Sequence, residues 1–138
     1  MGFLDSFFGR KPEDGDGRFQ TDEAAAENRT RQLAMTPQTV SQLRQYGVTD
    51  QSQLKLEYFF YTNTRKKAAA LAQTLGELGY AGNYDQSAGD KTQFVVTGWT
   101  SQMKMDDQTV LDWTGRMCEL GHEHDCEFDG WGTNPTQP

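Results

Sequence analysis

Four side chains able to bind a soft metal or exchange electrons crowd one short stretch: Cys118, His122, His124 and Cys126, spaced C-x3-H-x-H-x-C. Two thiolates and two imidazoles suffice for tetrahedral zinc, and two cysteines suffice for a disulfide or redox pair. The spacing matches no common zinc module. The periodicity on either side also puts Cys118 near Leu111 and Leu120 on a helix and Cys126 at an inward strand position, where a free thiol acts as a small hydrophobe. A structural role is the preferred reading, with a small metal or redox module as the alternative. Asp125, Glu127 and Asp129 offer acid-base chemistry, but no phosphate-binding glycine loop, nucleophile elbow or His-Glu pair at a helical repeat accompanies them. The expectation is a solvated acidic face, no enzyme and no cofactor.

Those residues must be positioned by elements that the chain punctuates clearly from Thr36 onward. Thr36 and Pro37 read as N-cap and first position of a helix whose face is Val40, Leu43 and Tyr46, stopped by Gly47. Leu54 to Thr62 is a strand rich in aromatics, and Asn63 or Thr64 caps a helix through Leu78 with Ala68, Leu71, Ala72, Leu75 and Leu78 inward and Gly79 as its stop. Tyr80 to Ser87 and Thr92 to Thr100 are strands joined by a turn. Asp106 or Asp107 opens a helix burying Val110, Trp113, Met117 and Leu120, with Gly121 as its stop, and His124 to Trp131 is the last strand. A faint repeat, GELGYAGNYD against CELGHEHDCEFD, supports duplication of a strand-helix-strand unit. The predicted class is α+β, a ferredoxin-like sandwich (strand-helix-strand-strand-helix-strand) with an extra N-terminal helix and a flexible N-terminal tail.

The tail is residues 1–35 and the folded domain residues 36–138. Gly9 to Leu33 has only Phe19 and Leu33 as large apolar residues, too few to offset the entropy of ordering, so it reads as a flexible charged linker. Before it, Phe3, Leu4, Phe7 and Phe8 fall at helical spacing ahead of Arg10 and Lys11. Such an amphipathic start can dock on the domain, on a partner, or weakly on a membrane through residues 1–11. Gly2 and Ser6 also fit the loose myristoylation pattern.

Charge narrows the partners. The 138 residues carry 13 Lys plus Arg against 20 Asp plus Glu, a formal net charge of -7, which disfavours direct nucleic-acid binding. Met105 to Asp129 holds eight acids and one base, Arg116, so a continuous negative surface suited to a basic protein is expected there. With two cysteines, no apolar run of spanning length and no signal-peptide pattern after Met1, the expected compartment is the cytoplasm.

Strand parity assigns the faces of the sheet. Leu54, Leu56, Tyr58 and Phe60 point one way, while Lys55, Glu57, Phe59 and Tyr61 point to an open face. Trp99 joins that face through Thr97. In the last strand Cys126 and Phe128 go inward and Asp125, Glu127, Asp129 and Trp131 go outward, provided that Gly130 introduces no bulge. The open sheet is then an aromatic, half-charged interaction surface, or one covered by the Thr36 to Tyr46 helix or the N-terminal segment. Its four-strand order is also that of RNA-recognition domains, but KTQFVVTGW lacks their aromatic signature.

Within DCEFDGWGTNP, the residues Glu127, Phe128, Asp129, Gly130, Trp131, Gly132 and Thr133 carry a resemblance. They are similar to the hydrophobic-Glu-aromatic-Asp-Gly-Trp-Gly-Thr segment near the C-terminus of the RraB family, bacterial regulators of ribonuclease E activity. Two glycines flanking a tryptophan after an acid have no generic reason to recur. The resemblance extends over Leu54 to Thr133. It implies a ferredoxin-like sandwich, and a protein inhibitor that binds ribonuclease E in its RNA-degrading assembly and restrains RNA cleavage without touching RNA. The expected partner-binding residues are Glu127, Asp129, Gly130, Trp131 and Gly132, with Phe59, Tyr61 and Trp99 on the open sheet. Two features depart from the best-known members: Thr133 to Pro138 carries no acid where they have a long acidic tail, and they lack the amphipathic start.

Overall fold

Strand Glu57–Thr62 alternates buried Tyr58, Phe60 and Thr62 with half-buried Glu57, Phe59 and Tyr61, the period of two expected of a sheet covered on one face. In the computed structural model, which describes residues 17–137, this strand is β2. The full order is α1 (Asp22–Arg44), β1 (Gln53–Leu54), β2 (Glu57–Thr62), α2 (Arg65–Glu77), β3 (Ala81–Gln86), β4 (Phe94–Trp99), β5 (Met103–Lys104), α3 (Asp107–Glu123) and β6 (Glu127–Gly132). Four strands form one antiparallel sheet in the order β3-β4-β2-β6, and β1 pairs with β5 in a separate antiparallel ladder. The architecture is α+β, as expected.

The inner face of the sheet meets α2 and α3. Ala68, Leu71 and Leu75 from α2 and Val110, Trp113, Met117 and Leu120 from α3 close over Tyr58, Phe60, Val96 and Phe128 in one core. Caps fix where each helix starts: the Thr64 side chain accepts from Lys67 N and that of Asp106 from Thr109 N. Gly82 and Gly98 lie opposite each other on β3 and β4, and the Tyr58 hydroxyl fills the space that a Cβ on either would occupy. Gly121 does not stop α3. It sits inside the helix because Phe60 and the Cys126 carbonyl approach too closely for a side chain there.

At α1 the structure departs from expectation. The helix begins at Asp22, capped by the Thr21 side chain, and runs through Pro37 to Arg44. The expected linker is therefore helical over residues 22–33, and the boundary drawn at residue 36 falls in mid-helix. Its buried residues explain why: Asn28, Gln32 and Thr36 precede Val40 and Leu43, so the first turns bury polar groups. β6 lies at the sheet margin, where alternate carbonyls turn away from the neighbouring strand. Asn28 Nδ2 donates to the Phe128 carbonyl at 2.8 Å, and Gln20 Nε2, just ahead of the helix, donates to the Cys126 carbonyl at 3.3 Å. The N-terminal stretch supplies side-chain amides to a strand edge that would otherwise stay open. The amphipathic start, Phe3 to Lys11, lies outside the described residues.

Candidate functional site

The DGW segment is built around a bulge. Phe60 pairs with Phe128 but Phe59 pairs with Gly130, which leaves Asp129 without a partner on β2. Gly130 has φ 128°, a backbone state that side-chain-bearing residues rarely adopt. One extra residue reverses parity beyond it, so Trp131 opposes inward-facing Tyr58. The expected outward Trp131 is thus corrected: its ring meets Trp113 edge-on at 6.2 Å, and its Nε1 donates to Thr36 Oγ1 at 3.2 Å. Thr36 Oγ1 in turn lies 2.9 Å from Thr114 Oγ1, which ties β6, α1 and α3 together.

Between α1 and the bulge runs a groove of about 190 Å³. Gln32, Met35, Thr36 and Thr39 line it from α1, Asp129, Gly130 and Trp131 from β6, and Phe59 from β2. Met35 is 47% exposed, one of few large apolar side chains so placed among the described residues. Asp129 stands clear because the bulge removes it from the ladder.

Phe59 also belongs to the open face of the sheet. Register sets three rows across it: Asp85, Val95, Tyr61 and Glu127; then Asn83, Thr97, Phe59 and Gly130; then Ala81, Trp99, Glu57 and Gly132. Trp99 therefore shares a face with Phe59 and Tyr61, while Val96 and Gly98 point inward. Of the expected site residues, Phe59, Tyr61, Trp99, Glu127, Gly130 and Gly132 fall on this face, Asp129 at its rim and Trp131 behind it. The helix α1 packs on α3 and along β6, so the predicted cover by the leading helix reaches only the β6 margin.

The acids do not form the uninterrupted negative surface expected of them. Arg44 lies 3.4 Å from Asp107, and Arg29 and Arg116 lie 3.4 and 3.6 Å from Glu119. Burial pushes the Glu127 carboxyl above its ordinary range, with the charge of Asp129 adding to the rise and Arg31 opposing it. The Asp129 carboxyl, on a residue otherwise exposed, is raised by partial desolvation and lowered by Arg31. Basic residues of α1 thus interleave with the acids of α3 and β6.

Asp125 is not on the open face either. It sits at φ 54°, a left-handed state that aspartate tolerates better than most residues. Its carboxylate accepts from Phe19 N at 2.6 Å, Gln20 N at 3.1 Å and Lys67 Nζ at 2.7 Å. The Gly17 carbonyl accepts from Lys67 Nζ and Asn63 Nδ2. This clasp holds the entry to α1 against the junctions that follow β2 and α3. Sequence reading missed it, because an acid next to a cysteine in a loop gives no sign of its partner 106 residues away.

The cysteine-histidine set is not assembled. Cys118 is buried near Arg29 on α1, with its thiol pushed up by burial to about 11. Cys126 faces the Lys67 carbonyl of α2, and burial raises its thiol to about 12. His122 Nε2 lies 3.3 Å from Asp22, whereas the His124 ring bridges Leu120 O and Thr74 Oγ1. Among the described residues no group of three or more His, Cys, Asp or Glu is placed to hold a metal ion. The same residues give no thiol activated for exchange.

Comparison with family models gives a match over residues 33–133 to RraB, described as Regulator of ribonuclease activity B. The matched span runs from the middle of α1 to the residue after β6, and so contains every residue lining the groove except Gln32. No curated protein matches the chain.

Proposed function

Because the chain belongs to the RraB family of regulators of ribonuclease activity, we propose that it is a non-enzymatic cytoplasmic regulator that restrains RNA cleavage by binding ribonuclease E or its assembly. The observation that carries this reading is the convergence of the family's DGW segment with α1. The bulge that exposes Asp129 also makes one wall of a groove, and the exposed thioether of Met35 makes part of the other. A lining that sets the apolar Met35, Phe59 and Trp131 beside a carboxylate is suited to a side chain with an apolar stem and a cationic head, hence to a basic protein surface. Phe59, Tyr61 and Trp99 extend the contact area onto the open sheet. Trp131 contributes by holding the groove wall rather than by projecting into solvent. The strand order, read from β2 onward, supports a ferredoxin-like assignment for the domain. Among the described residues no helix is long and apolar enough to cross a membrane.

The test is cleavage of a fluorescent RNA by purified ribonuclease E with the full chain added. Native protein should slow cleavage, and Met35→Glu combined with Asp129→Lys should remove the inhibition with little change in melting temperature. Binding of the chain to the RNA itself, or unchanged cleavage at saturating protein, would overturn the reading.

A further inference from the structure

The two margins of the sheet are finished differently. At β6 the edge carries a bulge, and side-chain amides of Gln20 and Asn28 serve its carbonyls. At the other margin β3 keeps an unbroken register with β4 over six residues, and among the described residues no strand lies on its outer side. Its sequence, AGNYDQ, holds neither the lysine nor the proline that commonly blunts such an edge.

The ladder decides which backbone groups of β3 are left over. Thr100 N donates to the Leu56 carbonyl at 2.8 Å, and Ser87 N donates to the Gln93 carbonyl at 2.9 Å. Hydrogen-bonded pairs alternate along antiparallel strands, so Val95, Thr97 and Trp99 turn their backbone groups toward Asp85, Asn83 and Ala81. Gly82, Tyr84 and Gln86 therefore aim theirs outward. The Gln86 N–H is already taken by the Asp85 carboxylate at 2.7 Å, and Tyr80 N, ahead of the strand, donates to the Leu75 carbonyl at 3.2 Å. Gly82 and Tyr84 thus each keep an N–H and a C=O for a strand laid alongside.

We propose that this strand is β3 of a second copy of the chain, antiparallel about a two-fold axis at Asn83, so that two sheets join into one of eight strands. In that register Gly82 of each copy faces Tyr84 of the other, and all four donors and all four acceptors pair. On the open face Asn83 meets its own copy, where one side-chain amide can donate to the other. Asp85, the one charged residue of β3, meets Ala81, so no like charges are opposed. On the inner face Gly82 brings no side chain against the facing Tyr84 ring. The symmetry also sets the end of one β3 beside the start of the other, where Leu78 at the α2 C-cap, expected inward, is 45% exposed. The groove lies at the β6 margin, so this pairing stands apart from the ribonuclease reading.

The experiment uses the full chain carrying Asn83→Cys, oxidised with copper phenanthroline. A residue on the axis stands about 4.5 Å from its copy, Cα to Cα, within disulfide reach. Ala81 is displaced from its copy by four residues, or ~13 Å. Both native cysteines are buried, so the unsubstituted chain supplies the background. Asn83→Cys should give covalent dimer in at least about fivefold the yield of Ala81→Cys, and equal yields or none would overturn the proposal. For the unsubstituted chain, sedimentation equilibrium from about 10 μM to about 1 mM, the range of weak interfaces, should show the mass rising from 15.6 kDa toward twice that value. Asn83→Lys opposes two cations on the axis and should move the midpoint about threefold higher. Because each copy carries a net charge of -7, added salt should lower the midpoint of the unsubstituted chain, opposite in sign to the docking of a basic partner. A monomer throughout the range, or a dimer indifferent to Asn83→Lys, would overturn the proposal.

Discussion

At the scale of single residues, Gly130 and Asp129 decide what the signature presents. The bulge sends Asp129 outward and turns Trp131 in, where it donates to Thr36 and meets Trp113 edge-on. Trp131→Phe should cost about 1 kcal/mol for the lost hydrogen bond. Trp131→Ala should cost about 2 to 4 kcal/mol, below a full core truncation because the ring is only partly buried. Urea titration of both variants checks this, and equal losses would mean that the hydrogen bond dominates. The two acids beside the bulge make a prediction in pH. Burial of Glu127 and partial desolvation of the more exposed Asp129 raise both carboxyls in the folded protein, so folding favours their protonated forms. Their contribution to stability is full below the unfolded carboxyl values near ~4 and is lost as pH rises through the raised folded values. Glu127→Gln with Asp129→Asn should therefore raise the melting temperature at pH 7 and leave it nearly unchanged near pH 3, as thermal melts across that range would show.

Among the elements, α1 depends most on its neighbours. Its first turns are polar on the buried side, and their hold on the domain comes from amides that serve the β6 edge. Asn28→Ala should leave the Phe128 carbonyl without its donor and cost ~1 to 3 kcal/mol. Amide exchange should accelerate in the first half of α1 before it does in α3. Unchanged exchange in residues 25–33 would mean that the amide contacts contribute nothing to ordering the helix. Pro37 works in the opposite direction, since it lies inside the helix, is exposed, and cannot donate to the carbonyl four residues earlier. Pro37→Ala should stabilise the protein by ~1 to 3 kcal/mol in urea titration, and a loss of stability would show that the ring makes a contact worth more than the missing hydrogen bond.

On the scale of the whole molecule, a net charge of -7 coexists with a surface on which α1 interleaves bases among acids. Arg31 is the base that faces Glu127 and Asp129. If a basic partner docks at the groove, Arg31→Gln should raise its association rate several-fold at low salt, because it strengthens the local negative field. The gain should vanish near 0.5 M salt, where the Debye length falls to roughly 4 Å. Stopped-flow association with a fragment of ribonuclease E tests this, and a rate insensitive to both changes would place the contact away from the bulge.

Local chemistry made much of the fold legible in the sequence. The alternation in EYFFYT marked the two faces of β2, the pairs Asn63 or Thr64 and Asp106 or Asp107 placed helix starts to within one residue, and the spacing of Val110, Trp113, Met117 and Leu120 marked the buried side of α3, because each signal is set by neighbours within a turn or a strand. The DGW segment also revealed the family from sequence. Its geometry was a different matter: whether Gly130 continues the strand or bulges depends on the register against β2, and that choice alone moves Trp131 from one face to the other. The first half of α1 was hidden for a related reason. Hydrophobic periodicity registers apolar burial, whereas Asn28 and Gln32 are buried beside an open strand edge that exists only once the sheet has formed. Asp125, joined to Phe19, Gln20 and Lys67 across most of the chain, belongs to the same class of contact, in which partners distant in sequence become neighbours only when the tertiary structure brings their elements together.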